Sequence, residues 1–121
     1  MQRVQKKIVV IDDEPDILEF LKELLEQEDY TVVTIDKAEY VEELHAGGLP
    51  DLILLDVLLS GKDGRVIVKH LKSQEETRHI PVIMFSAHPT AEATTRAAGA
   101  DDFLAKPFEL DELLEKVAHY L

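Results

Sequence analysis

Short unbroken aliphatic runs alternate along this chain with longer stretches in which apolar residues recur every three or four positions. The runs are residues 8–11 (Ile-Val-Val-Ile), 52–55 (Leu-Ile-Leu-Leu) and 82–85 (Val-Ile-Met-Phe, after Pro81). Four apolar residues in a row, bounded by turn formers, fit a strand buried on both faces, as in the middle of a parallel sheet. Residues 30–35 alternate more, with threonine at 31 and 34, and 102–105 is brief. Both mixed segments are predicted at sheet edges.

Helical periodicity fills the gaps. Glu14 and Pro15 open a helix whose predicted inward face is Ile17, Phe20, Leu21, Leu24 and Leu25, with Pro favoured in a first turn where its missing N–H costs nothing. Residues 38–46 carry Val41 and Leu44 at helical spacing, and Gly47-Gly48 supplies a stop. Asp63 is a good N-cap for a helix over 64–73 with Val66, Ile67 and Leu71 inward. A short helix is predicted over 90–98, closed by Gly99, and a final one carries Leu110, Leu113, Leu114, Val117, Ala118 and Leu121 as its stripe.

Five strands alternating with five helices predict an α/β fold. The best fit is flavodoxin-like: a doubly wound (βα)5 unit with a five-stranded parallel sheet in the order 2-1-3-4-5, in three α/β/α layers. That order puts the three most apolar strands in the middle. A chain of 121 residues fits one domain, 1–121, of which 1–6 form a short N-terminal extension.

Composition narrows the function classes. Thirteen Lys and Arg face 25 Asp and Glu, for a formal charge of -12, which repels nucleic acid phosphates and anionic lipid headgroups. No direct nucleic acid partner and no membrane are therefore expected. Absence of cysteine excludes disulfides, thiol catalysis and thiolate metal sites. Apolar runs are too short to span a bilayer and no signal-peptide core follows the first residues, so a cytoplasmic protein is expected.

Chemistry concentrates where the strands end. Asp12 and Asp13 follow the first strand, Asp56 the third, Ser86 the fourth and Lys106 the fifth. In a parallel sheet these carboxyl ends share one edge, where open α/β sheets bind ligands. Each residue has an ordinary reading too: Asp12, Asp13 or Asp56 as a cap, Ser86 as a loop serine, Lys106 as a surface lysine. Jointly those readings require four coincidences at one edge. Two carboxylates about 4 Å apart repel by roughly 4 kcal/mol at an effective dielectric of 20, so the cluster calls for a cation. Oxygen-only ligands suit Mg²⁺, which keeps waters and shares its shell with phosphate. Lys106 and the Ser86 hydroxyl can hold phosphoryl oxygens, making in-line attack of Asp56 on phosphorus a workable chemistry. The five histidines, at 45, 70, 79, 88 and 119, show no ligand spacing on a shared face.

Taken together, Asp12-Asp13, Asp56 in Leu-Leu-Asp-Val, Asp63-Gly64, Ser86-Ala87 and the run from Gly99 to Phe108 (Gly-Ala-Asp-Asp-Phe-Leu-Ala-Lys-Pro-Phe) resemble a response-regulator receiver domain of two-component and phosphorelay signalling. The resemblance covers nearly the whole chain. It implies that Asp56 takes a phosphoryl group from a phosphohistidine on a sensor histidine kinase or phosphotransfer protein. It also implies Mg²⁺ bound by Asp12, Asp13, Asp56 and the backbone carbonyl of Leu58, with Lys106 on the phosphoryl group and Lys106-Pro107 cis. Ser86 and Phe103 would be the switch, with Ser86 moving toward the phosphate and Phe103 turning inward, so that the face made by the fourth helix, fifth strand and fifth helix changes for a downstream protein. The chain would be a phosphoacceptor switch rather than an enzyme with turnover.

Some positions depart from the family pattern. Leu59-Ser60 stands where Met-Pro is common, and Ser86 to Lys106 is about two residues short, which implies a trimmed fourth helix or preceding loop. Leu58 and His88 occupy positions that in the family tune attack of water on the acyl phosphate. An apolar Leu58 predicts a long-lived phosphoryl state. A competing reading is an Asp-nucleophile phosphohydrolase, but such enzymes carry a second acid where this chain has Leu58. A third is a receiver-like binding module that works without phosphorylation, against which the intact acids, serine and lysine argue.

Overall fold

The computed structural model describes residues 5–37, 44, 48–59 and 61–121. Its centre is a five-stranded, wholly parallel sheet in the order β2-β1-β3-β6-β7, built from β1 (Lys7–Ile11), β2 (Thr31–Ile35), β3 (Leu52–Asp56), β6 (Val82–Ser86) and β7 (Asp102–Ala105). This is the predicted flavodoxin-like order, with the mixed segments at the edges. Between β3 and β6 lies an element the pattern did not predict, a two-stranded antiparallel hairpin of β4 (Leu58–Leu59) and β5 (Lys62–Asp63). Runs of two residues are too short to show a period.

Strand alternation divides the core in two. Ile8 and Val10, Leu52 and Leu54, and Ile83 and Phe85 face a cluster closed by α1 (Pro15–Gln27) and α4 (Leu110–Tyr120). Val9 and Ile11, Ile53 and Leu55, and Val82 and Met84 face a second cluster closed by Val68 and Leu71 of α2 (Gly64–Ser73), with Leu44 buried there as well. The result is the three-layer arrangement that a doubly wound sheet requires. The predicted helix over 38–46 lies outside the described residues apart from Leu44.

The four described α-helices were legible in the sequence, but helix rotation was read with errors. In α1 the seam is Leu18, Leu21 and Leu25, while Phe20 is 48% exposed. In α2 the seam is Gly64, Val68 and Leu71, with Ile67 half-buried, and Val66 is 67% exposed. In α4 only Leu113 and Val117 are fully buried; Leu110 and Ala118 are exposed. Each helix offers more apolar residues than one stripe can hold, so the angle at which it crosses the twisted sheet decides which are covered. α3 (Glu92–Ala98), entered through a 3-10 turn at Pro89–Ala91, is only seven residues long and ends at Gly99 in the left-handed conformation, φ +117°. That matches the trimmed crossover expected there.

Candidate functional site

Sheet register assembles the site. Ile11 pairs with Leu55, so the next residues, Asp12 and Asp56, emerge side by side. Asp56 pairs with Phe85 and Ser86 with Ala105, which sets Lys106 just beyond Ser86. Two backbone bonds extend the ladder past the strand ends, from the Val57 N–H to the Phe85 carbonyl (3.1 Å) and from the Lys106 N–H to the Ser86 carbonyl (2.8 Å). Residues 94 positions apart thus meet on one edge: Lys106 Nζ lies 3.3 Å from Asp12 Oδ2 and 3.5 Å from Asp56 Oδ2. The Lys106-Pro107 peptide bond is cis, as expected.

Burial makes these charges costly to keep. Asp12 is fully buried and Asp56 is 7% exposed. Desolvation pushes the Asp12 carboxyl up from 3.8 to about 6, against the Glu14 backbone N–H that donates to its Oδ1 at 2.9 Å; the Asp56 charge adds to the rise and the Lys106 ammonium opposes it. Asp56 is raised as well, again by burial, with Lys106 and the Leu58 amide pulling it back toward the carboxylate. Asp12, Asp13 and Asp56 each offer a carboxylate oxygen within 4.8 Å of the others. Three acids around one lysine leave a net negative pocket of oxygen donors, a fit for a small hard dication.

Asp13, Asp56 and Lys106 open on a crevice of about 260 Å³, also walled by Leu58, Ser86 and His88, with Asp12 buried behind it. Leu58 is 57% exposed at its rim. The Ser86 hydroxyl accepts the His88 N–H at 3.0 Å, and Phe103, which pairs with Met84 across the β6–β7 ladder, is already buried. Ser60 lies outside the described residues, but Leu59 beside it is buried in the core. Beside the crevice is an apolar hollow of about 360 Å³ between α1 and the segment after β7, lined by Ile17, Phe20, Ala87, Pro107 and Phe108 with Lys106 at its edge. Phe20, displaced from the core, lies here.

Three neighbours of the site add to the sequence reading: Phe85 and Arg65 were not singled out there for the site, and Asp63-Gly64 was named without its packing role. Phe85 sets its ring under the lysine, with Lys106 Nζ 4.9 Å from the centroid. Strand alternation shows which face Phe85 takes, but only the register shows what lies above it. Gly64 is the second: a Cβ there would overlap the Asp56 carbonyl oxygen, because α2 starts against the backbone of Asp56 itself. Asp63 caps that start, its Oδ1 accepting the Arg65 N–H at 2.9 Å. The Asp-Gly signature is thus a packing requirement of the site. Arg65 is the third, with three nitrogens engaged by Asp63 and Thr94.

The model of the response regulator receiver domain family matches residues 8–118. The phosphate regulon transcriptional regulatory protein PhoB of Escherichia coli (strain K12) is 37% identical over 114 residues, 93% of this chain and 50% of PhoB. The transcriptional regulatory protein ResD of Bacillus subtilis (strain 168) is 37% identical over 123 residues, 96% of this chain and 48% of ResD. The chain therefore spans about half the length of these curated relatives. Among solved structures, a putative response regulator from Chloroflexus aurantiacus superposes with a TM-score of 0.90 at 30% identity, covering 97% of this chain and 98% of that one. The response regulator TrrA from Thermotoga maritima, in complex with Mg(2+)-BeF, gives a TM-score of 0.86 at 32% identity, covering 97% of this chain and 100% of that one.

Proposed function

The chain belongs to the response regulator receiver family, whose members switch by phosphorylation, and on that premise we propose that Asp56 is its phosphoacceptor. The observation that carries this is the single lysine bridging Asp56 and Asp12 at the strand ends. A carboxylate oxygen of Asp56 attacks the phosphorus of a phosphohistidine on a histidine kinase or phosphotransfer protein. The P–N bond breaks, its electron pair stays on the imidazole nitrogen, and an acyl phosphate forms. Lys106 and the Leu58 amide favour the ionised carboxylate that attacks, and Lys106 remains to hold a phosphoryl oxygen. Receiver domains bind Mg²⁺ at an acidic site, and the donors here fit it: Asp12, Asp13, Asp56 and the Leu58 carbonyl would hold the ion. Bound there, it would neutralise charge building on the phosphoryl oxygens.

Ser86, released from His88, turns to the phosphoryl group, and Phe103 and the face of α3, β7 and α4 settle into the arrangement that a downstream protein reads. The chain promotes only its own phosphorylation and dephosphorylation, in the cytoplasm with its phosphodonor; among the described residues no helix is long and apolar enough to cross a membrane. Exposure to acetyl phosphate and Mg²⁺, followed by a mobility-shift gel, tests the reading. A shifted band in the wild type and none in Asp56→Asn supports it. Failure of the wild type to shift refutes it, and steady phosphate release over many turnovers would point to a hydrolase instead.

A further inference from the structure

α3 is weakly seated for a helix on the face meant to report a signal. Seven residues do not hold a helix by themselves in water. Of those seven, only Thr95 is buried, whereas α1 buries three leucines. Polar bonds therefore carry much of its placement, and they come from two arginines. Arg96, on α3 itself, reaches Asp102 Oδ1 at 3.2 Å and the Asp101 carbonyl at 3.3 Å, on and just before β7.

Arg65 comes from the other side, the second residue of α2. Its Nη1 donates to Thr94 Oγ1 at 2.9 Å, and that hydroxyl in turn donates to the Ala91 carbonyl at 3.0 Å, so one contact grips both α3 and the turn that leads into it. The opposite edge of the same guanidinium is clamped by Asp63, Nε on Oδ1 at 2.9 Å and Nη2 on Oδ2 at 2.8 Å. A two-point carboxylate fork fixes the plane of a guanidinium and hence the direction of its third nitrogen. Asp63 is in turn the cross-strand partner of Leu58, two residues beyond Asp56. Arg65 also spans open space, since a cavity of about 230 Å³ separates the hairpin from the loop after β6, walled by Leu58, Ser86, His88 and Thr94 as well as Arg65 itself. Loop and helix have room to shift there, and among the described contacts the guanidinium crosses the gap.

We propose that Arg65 is a positioning residue that couples the loop after the phosphoacceptor to α3, through Asp63 on one side and Thr94 on the other, alongside the Ser86 and Phe103 switch. The inference rests on phosphorylation of Asp56. Rearrangement of the hairpin beside a new acyl phosphate then moves α3 because the two are tied, and a weakly buried helix offers little resistance.

Hydrogen exchange read by mass spectrometry on the peptide covering α3 tests this, with and without acetyl phosphate and Mg²⁺. Wild type, Arg65→Met, Thr94→Val and Thr94→Ser are compared. Loss of the exposed Arg65–Thr94 hydrogen bond, and in Thr94→Val of the Thr94–Ala91 bond with it, should speed α3 exchange about two- to fivefold in unphosphorylated Arg65→Met and at least as much in Thr94→Val. The exchange difference between the two states of the wild type should shrink by about half or more in both variants. Thr94→Ser should behave as wild type, and Asp56 should be labelled to the same extent in all four. Thr94→Val leaves the Asp63 cap untouched, so it reports even if Arg65→Met folds poorly. Variants that keep the wild-type difference overturn the inference, as do variants whose exchange rises equally in both states, which would mean a purely structural bond. A labelled wild type with no change at α3 overturns it too. If the wild type is not labelled, the functional reading fails first and takes the inference with it.

Discussion

Replacing Asp12 with asparagine should stabilise the cation-free protein. Asp12 is fully buried and its carboxyl is raised from 3.8 to about 6, chiefly by desolvation. A folded-state value above the unfolded one means that the folded protein holds the proton more tightly. The resulting stability is complete below 3.8 and is lost as pH rises through 6. At neutral pH the charged carboxylate therefore costs about 3 kcal/mol relative to the protonated limit. Asparagine keeps an oxygen for the Glu14 N–H and removes the charge, so Asp12→Asn should gain about 1–3 kcal/mol at pH 7.5, or about 4 °C in Tm per kcal/mol for a chain of this size. At pH 4.5, where wild-type Asp12 is largely protonated in the folded state, the gain should fall to about a third. Urea titrations of both proteins in a chelator at the two pH values provide the assay. An Asp12→Asn protein no more stable than wild type at pH 7.5, or equally stabilised at both values, would refute the account of a buried, cation-seeking carboxylate.

The same titration bears on the metal. Mg²⁺ competes with the Asp12 proton, so its affinity measured by calorimetry should fall about tenfold between pH 7 and pH 5, and Asp12→Asn should flatten that dependence. Gly64→Ala forces a methyl group onto the Asp56 carbonyl oxygen, and urea unfolding should show a loss of about 2–4 kcal/mol, whereas Gly61→Ala has open space and faces only its positive φ. Leu58→Asn gives water a polar partner at the crevice rim and should shorten the phosphoryl lifetime by about threefold or more, which takes about 0.7 kcal/mol or more off the barrier. A wild-type lifetime of only seconds in purified protein with Mg²⁺ would defeat the premise.

What the sequence determines by itself is the order of elements and the residues at their ends. Aliphatic runs such as 52–55 fit strands covered on both faces, and a parallel sheet brings the ends of β1, β3, β6 and β7 to one edge, whichever helices cover it. Hence Asp12, Asp56, Ser86 and Lys106 could be assigned to one edge before any distance was known. Tertiary structure decided what depends on angle and register. Phe20 and Val66 match the helical period as well as Leu18 and Val68 do, and only the crossing of α1 and α2 over a twisted sheet left the first pair in solvent and the second in the core. Phe85 beneath Lys106, Gly64 against Asp56 and Arg65 reaching Thr94 are contacts between segments distant in the chain or at its turns, where periodicity carries no information. The site's residues follow from local patterns, but its charge balance and its ties to α3 exist only once the strands are in register.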